Sequence, residues 1–171
     1  PKVQQQLMEK VVAAAKGKPV VLVLLNGSPL TLVWADQNVP AIVEAWYGGQ
    51  AAGTAVGEAL FGDVSPAGRL PLTFYRSLDQ LPPFDDYAMK GRTYRYFTGQ
   101  PLYPFGHGLS YSRFEYARLA VPKKAAVGAP VAVSVEVRNA GAVAADEVVQ
   151  LYVTDVEASG EAPLRALKGF Q

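Results

Sequence analysis

The sequence predicts an α/β layer with mainly parallel strands, followed by part of an antiparallel β-sandwich. Three observations predict it. The run Val20-Val21-Leu22-Val23-Leu24-Leu25 is continuously apolar and half β-branched, which suits a strand covered on both faces. Strand-like and helix-like stretches alternate through the first 74 residues. Later, Val131, Val133, Val135 and Val137 alternate with Ala132, Ser134, Glu136 and Arg138, the period-two pattern of a half-buried strand.

The elements follow in order. Val3, Leu7, Val11 and Ala14 recur at helical spacing, with Met8, Val12 and Ala15 beside them; Gly17 and Pro19 close that helix. After the first strand, Asn26-Gly27-Ser28-Pro29 is a loop. Residues 41–46 read as a second strand between Pro40 and Gly48-Gly49, with a short helix as the alternative, and residues 50–61 as a helix stopped by Gly62. The small residues of that helix (Ala51, Ala52, Gly53, Ala55, Gly57, Ala59) suit close approach to a sheet. Residues 70–74 are a third strand candidate. Residues 84–116 then hold ten of the chain's 18 aromatic residues, four glycines and no regular periodicity, as a long connection would. Strands are expected at 114–121, 131–138, 149–154 and 164–170, with a turn at Asn139-Ala140-Gly141. Four strands are about half of a complete sandwich, so the chain reads as cut from something longer at both ends.

Composition narrows the function. The chain is 50% hydrophobic and 18% charged, which is incompatible with intrinsic disorder. It has no cysteine, so disulfides, thiolate metal sites and thiol redox chemistry are excluded. A net charge of +1 gives no electrostatic case for nucleic acid or an anionic membrane. No apolar run approaches the roughly 20 residues of a membrane span, and the first residues lack the basic and apolar pattern of a signal peptide.

Chemistry-bearing residues are sparse. His107, the single histidine, lies in Phe105-Gly106-His107-Gly108 and reads as a turn histidine rather than part of a triad or metal site. Gly48, Gly49, Gly53 and Gly57 do not have the spacing of a phosphate loop; a tight turn with close helix–sheet packing explains them better. Paired carboxylates hydrolyse glycosidic bonds, but spacing picks no pair among Asp36, Glu44, Glu58, Asp63, Asp79, Asp85 and Asp86. Glu44 is expected at a sheet surface or edge, and Asp63 is expected to fix the turn after Gly62. The densest polar–aromatic group is Tyr87, Met89, Arg92, Tyr94, Arg95, Tyr96 and Phe97, suited to an inter-domain seam or a carbohydrate rim.

These stretches carry a family likeness. Trp46-Tyr47-Gly48-Gly49-Gln50 and residues 60–74 (Leu-Phe-Gly-Asp-Val-Ser-Pro-Ala-Gly-Arg-Leu-Pro-Leu-Thr-Phe) resemble the end of the C-terminal α/β sandwich of glycoside hydrolase family 3. Residues 91–97 and 101–111 resemble that family's connection into a fibronectin type III-like domain. Residues 146–153 and 167–171 resemble the first half of that domain. One departure is Gly49, where many members have proline. The resemblance implies a partial α/β sandwich at 1–76, an aromatic-rich connection at 77–112, and a partial all-β fibronectin III/immunoglobulin-like sandwich at 113–171. It further implies a retaining, exo-acting β-glucosidase or β-xylosidase as the parent. That enzyme's nucleophile would be an aspartate on a barrel and its acid/base a glutamate before the segment matching residues 1–7, so no catalytic residue carries over to this chain.

The implied partners are β-linked glucoside or xyloside oligosaccharides, together with the barrel and remaining sandwich segments of the same protein. No cofactor, metal, nucleic acid or membrane is implied. Periplasmic or secreted members are common in the family. Tyr87, Met89, Arg92 and Tyr94 are the candidates for a substrate rim. Two alternatives stand beside this reading: a non-catalytic carbohydrate-binding or structural module, and, on glycines alone, a nucleotide-binding α/β protein. Large exposed apolar patches are expected of the chain by itself.

Overall fold

The computed structural model describes residues 2–158 and 160–171. Helix α1 (Lys2–Ala14) ends where Lys16 and Gly17 take left-handed backbone angles. It turns Met8 and Val12 toward the core and leaves Val3, Leu7 and Val11 exposed. Of the two adjacent apolar stripes in the sequence, the second is the one that packs.

Strands β1 (Val21–Leu24) and β2 (Ala41–Glu44) pair in parallel, with Val21 opposite Ala41 and Leu24 opposite Glu44. The parallel pairing agrees with the apolar run. Burial on both faces does not: Val21 and Leu25 are exposed in a sheet of two strands. Between the strands lies a six-residue helix, α2 (Val33–Asn38), which the sequence reading did not identify. Its Ala35 is completely buried.

Helix α3 (Ala52–Phe61) ends on Gly62 at φ +85°, a left-handed cap whose N–H donates to the carbonyls of Ala59 and Glu58. The close helix–sheet packing expected of its glycines is absent here: a Cβ added at Gly53 or Gly57 would meet nothing within 4 Å. Gly48 does make a close turn, since a Cβ there would lie 2.3 Å from that of Ala52.

Residues 70–74 do not join the parallel pair. Phe74 instead bridges Tyr103 in antiparallel sense, and the Leu70 N–H donates to the His107 carbonyl. The core accordingly gathers around Leu32, Ala35, Val39, Phe74 and Leu102, ringed by Trp34, Trp46 and Tyr103. The connection contributes Leu102 and Tyr103 to it. Within the connection lie a 3-10 turn (Leu78–Gln80) and the one-turn helix α4 (Thr93–Tyr96).

The last third forms two antiparallel pairs. Strand β3 (Phe114–Ala120) pairs with β4 (Ser134–Asn139), and β5 (Gln150–Val153) pairs with β6 (Ala166–Phe170). All four expected strands are present. β4 starts three residues later than the valine alternation suggests, leaving Val131 exposed. An open groove of about 1160 Å³ runs between the pairs, lined by Val133, Val135, Val137, Val149, Leu151 and Phe170. Exposed apolar residues are widespread; Phe61, Leu78, Phe84, Leu109, Val127 and Val156 are among them.

Candidate functional site

The polar and aromatic residues converge where the connection meets the antiparallel strands. Tyr94, on α4, stacks on Phe105 (centroids 4.3 Å apart, planes 19°) and meets Tyr152 of β5 edge-on at 5.8 Å. Its hydroxyl accepts a hydrogen bond from the Leu167 N–H at 3.1 Å. The Arg165 guanidinium lies over the far side of this group, 5.1 Å from the Tyr152 ring centre. The backbone joins in, with the Leu164 N–H donating to the Arg95 carbonyl at 2.7 Å.

Arg92 is held in the loop before α4. Its Nε donates to the Ala88 carbonyl (3.1 Å), and its Nη2 donates to the carbonyls of Pro83 (3.0 Å) and Asp86. The Ala88 N–H donates to Asp86 Oδ1 at 2.8 Å. One guanidinium thus closes residues 83–88 into a ring. That ring presents Phe84 and Tyr87 outward, 98% and 90% exposed, with Met89 half-exposed beside them. Of the four rim candidates, Arg92 binds backbone, Tyr94 faces the seam, and Tyr87 and Met89 face solvent.

On the near side of the seam, Arg69 reaches Glu147 at 2.5 Å. His107 lies next to it, its ring parallel to Tyr103 (5.2 Å, 10°). Its backbone makes the turn, the N–H donating to the Pro104 carbonyl at 3.1 Å. Burial, reinforced by the Arg69 charge, holds the imidazole below the usual histidine range and favours the neutral ring. Tyr103 donates its hydroxyl proton to Asp36 Oδ1 at 2.7 Å. Burial, then Asp36, pushes that phenol up.

Glu44 sits at the carboxyl end of β2. Asn26 Nδ2 donates to its Oε2 (3.3 Å) and the Trp46 N–H to its Oε1 (3.2 Å). Burial raises its pKa against the effect of those donors. Trp46 is itself left-handed at φ +51°. Asn26 Oδ1 is buried with no partner among the described residues. Among the described hydrogen bonds the Asp63 side chain makes none; the turn after Gly62 closes through backbone, with the Asp63 N–H donating to the Glu58 carbonyl. Sequence reasoning singled out neither Arg69 nor Glu147. The only local signal is an acid beside Val148-Val149, placed where an apolar side chain would be ordinary.

Small parallel and antiparallel sheets with few helices meet across this aromatic seam. The sequence profile of the glycosyl hydrolase family 3 C-terminal domain matches residues 1–111, and the chain belongs to that family. It is 44% identical over 171 residues, all of this chain, to a xylan 1,4-β-xylosidase of Xylanibacter ruminicola, covering 19% of that protein. It is also 44% identical to a periplasmic β-glucosidase of Salmonella typhimurium, over 92% of this chain and 22% of that protein. Among solved structures, a β-glucosidase of Erythrobacter marinus matches 98% of the chain with TM-score 0.83 and 41% identity, covering 22% of its length. A Listeria innocua β-glucosidase in complex with laminaribiose matches the whole chain with TM-score 0.83 and 32% identity, covering 25% of its length. The chain therefore spans about a fifth to a quarter of these relatives.

Proposed function

We propose that this chain is the C-terminal portion of a retaining, exo-acting glycoside hydrolase that releases glucose or xylose from β-linked substrates, and that it supplies scaffold and seam rather than the reacting carboxylates. The observation that carries the reading is the match along the whole chain to β-xylosidases and β-glucosidases. The carboxylates of the seam and core support it, because they are already engaged structurally: Glu147 by Arg69, Asp36 by Tyr103, Glu44 by Asn26. In this reading residues 1–76 close an α/β sandwich, 77–112 connect, and 113–171 begin a fibronectin type III-like sandwich. The two antiparallel pairs support the last of these.

Tyr87 and Met89 are the rim residues of the proposal, with Arg92 setting the loop that carries them and Tyr94 backing it. Flat aromatic faces suit the apolar face of a pyranose. The test of the main reading is turnover of aryl β-glucosides and β-xylosides by the pure 171-residue chain. None is expected, and measurable turnover overturns the scaffold role. Titration with glucose, xylose and laminaribiose by calorimetry tests the rim. Saturable heat lost in Tyr87→Ala supports it; heat unchanged in that variant removes Tyr87 from it.

A further inference from the structure

One ion pair differs from the rest. The Arg69 and Glu147 side chains are 12% and 16% exposed, against 41–81% for the members of the other described pairs. Exposed pairs contribute little to stability; a sequestered pair is costly to break one partner at a time, because the other charge is left unpaired. Both terminal nitrogens of Arg69 are engaged: Nη2 contacts Glu147 Oε2, while Nη1 donates to the carbonyls of Ala67 (3.0 Å) and Gly68 (3.1 Å). Glu147 Oε1 accepts the Tyr116 hydroxyl proton at 2.6 Å. Burial, then Glu147, pushes that phenol up to about 12.

The surrounding backbone is built to let these groups meet. A Cβ at Gly108 would lie 2.4 Å from the Gly68 carbonyl oxygen that Arg69 also uses. A Cβ at Gly106 would lie 2.2 Å from Gln150 Oε1, and Gln150 Nε2 donates to the Gly106 carbonyl at 3.1 Å. Two side-chainless positions thus sit on either side of His107, each pressed against a different portion of the chain.

We infer that Arg69, Glu147 and Tyr116 form a latch that fixes the antiparallel portion to the α/β portion, so that the two lose structure together rather than as independent bodies. Joined domains otherwise move relative to one another by default. The inference rests on the scaffold role proposed above, and not on which sugar the parent enzyme takes.

Both tryptophans, Trp34 and Trp46, lie in the first portion and report on it by fluorescence. Amide exchange read by mass spectrometry over β3 and β4 reports on the second. Followed together through a urea series on the 171-residue chain, the two signals are expected to share one midpoint. In Arg69→Ala, opening of β3–β4 is expected to become about a hundredfold more populated, and its midpoint to fall below that of the tryptophans. Glu147→Gln keeps one acceptor oxygen where the carboxylate served two donors, at Oε2 and Oε1, and is expected to lie between. The pair Arg69→Met with Glu147→Leu is expected to recover most of the loss.

Coincident midpoints in Arg69→Ala, or a double-variant loss equal to the two single losses combined, overturns the latch. If Arg69→Ala does not fold, the double variant decides: a single coincident transition supports the latch, and failure to fold overturns it. Separate midpoints in the unaltered chain also overturn it, without touching the glycosidase reading. Turnover by the isolated chain would sink that reading and leave the latch as it stands.

Discussion

The two ends of the chain are held together by different means. Among the described residues, every buried side chain lies between Asn26 and Leu102. The described residues of 113–171 contain none; their strands are joined by ladder hydrogen bonds and by cross-strand pairs such as Arg118–Glu136 and Arg138–Glu115, all at the surface. Their alternating valines point into an open groove. The first portion thus has a small core of its own, whereas the second gains its order through the seam. Good strand pattern is therefore not the same thing as a core, since alternation sets which face is apolar and leaves open what covers it.

The largest expected effect is Phe74→Ala. Phe74 is 1% exposed and contacts Trp46 and Tyr103, so its removal should cost about 3–5 kcal/mol. Urea unfolding followed by tryptophan fluorescence measures it. A loss under about 1 kcal/mol would mean that the first portion has no core to speak of, and the comparison would collapse.

Gly108→Ala presses a methyl against the Gly68 carbonyl and should cost about 1–3 kcal/mol. Its effect should appear at the seam, as faster amide exchange in β5 and β6 than in β1 and β2. Uniform loss across the chain would blur the distinction between the two portions. Asn26→Asp sets a second carboxylate against Glu44 and should cost about 1–3 kcal/mol at neutral pH. Acidification should relieve the repulsion as the pair takes up a proton. A penalty that is flat with pH would show that the two side chains are not in contact.

His107 gives a smaller, pH-dependent effect. Its folded pKa is below the ordinary histidine value, so the unfolded chain binds more protons in the interval between the two. Stability should rise with pH through that interval and be lost as pH falls from about 6.5. His107→Phe keeps a ring on Tyr103 and should abolish the slope, as read from thermal midpoints between mildly acidic and neutral pH. Smallest of all, Glu115→Gln should leave the unfolding midpoint unchanged, although the carboxylate accepts from Arg138 at 2.6 Å. The pair lies at the surface, its side chains 70% and 41% exposed, so their attraction carries little weight.

Much of this architecture is legible in the sequence, and the parts that are not share one cause. β1, α3 with its Gly62 stop and the four antiparallel strands carry their signals within about ten residues each, through run, period or cap. α2 is too short to show a helical period and is fixed by the burial of Ala35 from outside itself. Residues 70–74 look like a sheet strand, yet their partner is the connection, about thirty positions on. The Arg69–Glu147 contact spans 78 positions, so the acid standing beside Val148-Val149 does not name its partner. The same holds for the rim candidates: one dense aromatic group in the sequence divides between seam and solvent, because α4 and the Arg92 ring turn neighbouring side chains opposite ways.

The small core has a further consequence in time. Leu32 and Ala35 are buried together with Leu102, roughly seventy residues later, and Phe74 meets Tyr103 across almost thirty. Such closures must be made before the burial that rewards them, which raises contact order and slows folding. During synthesis, the first portion cannot complete its interior until the stretch beyond Gly99 has been made and has come back across it. The segment that looks like a tether is the last piece of the first portion to arrive.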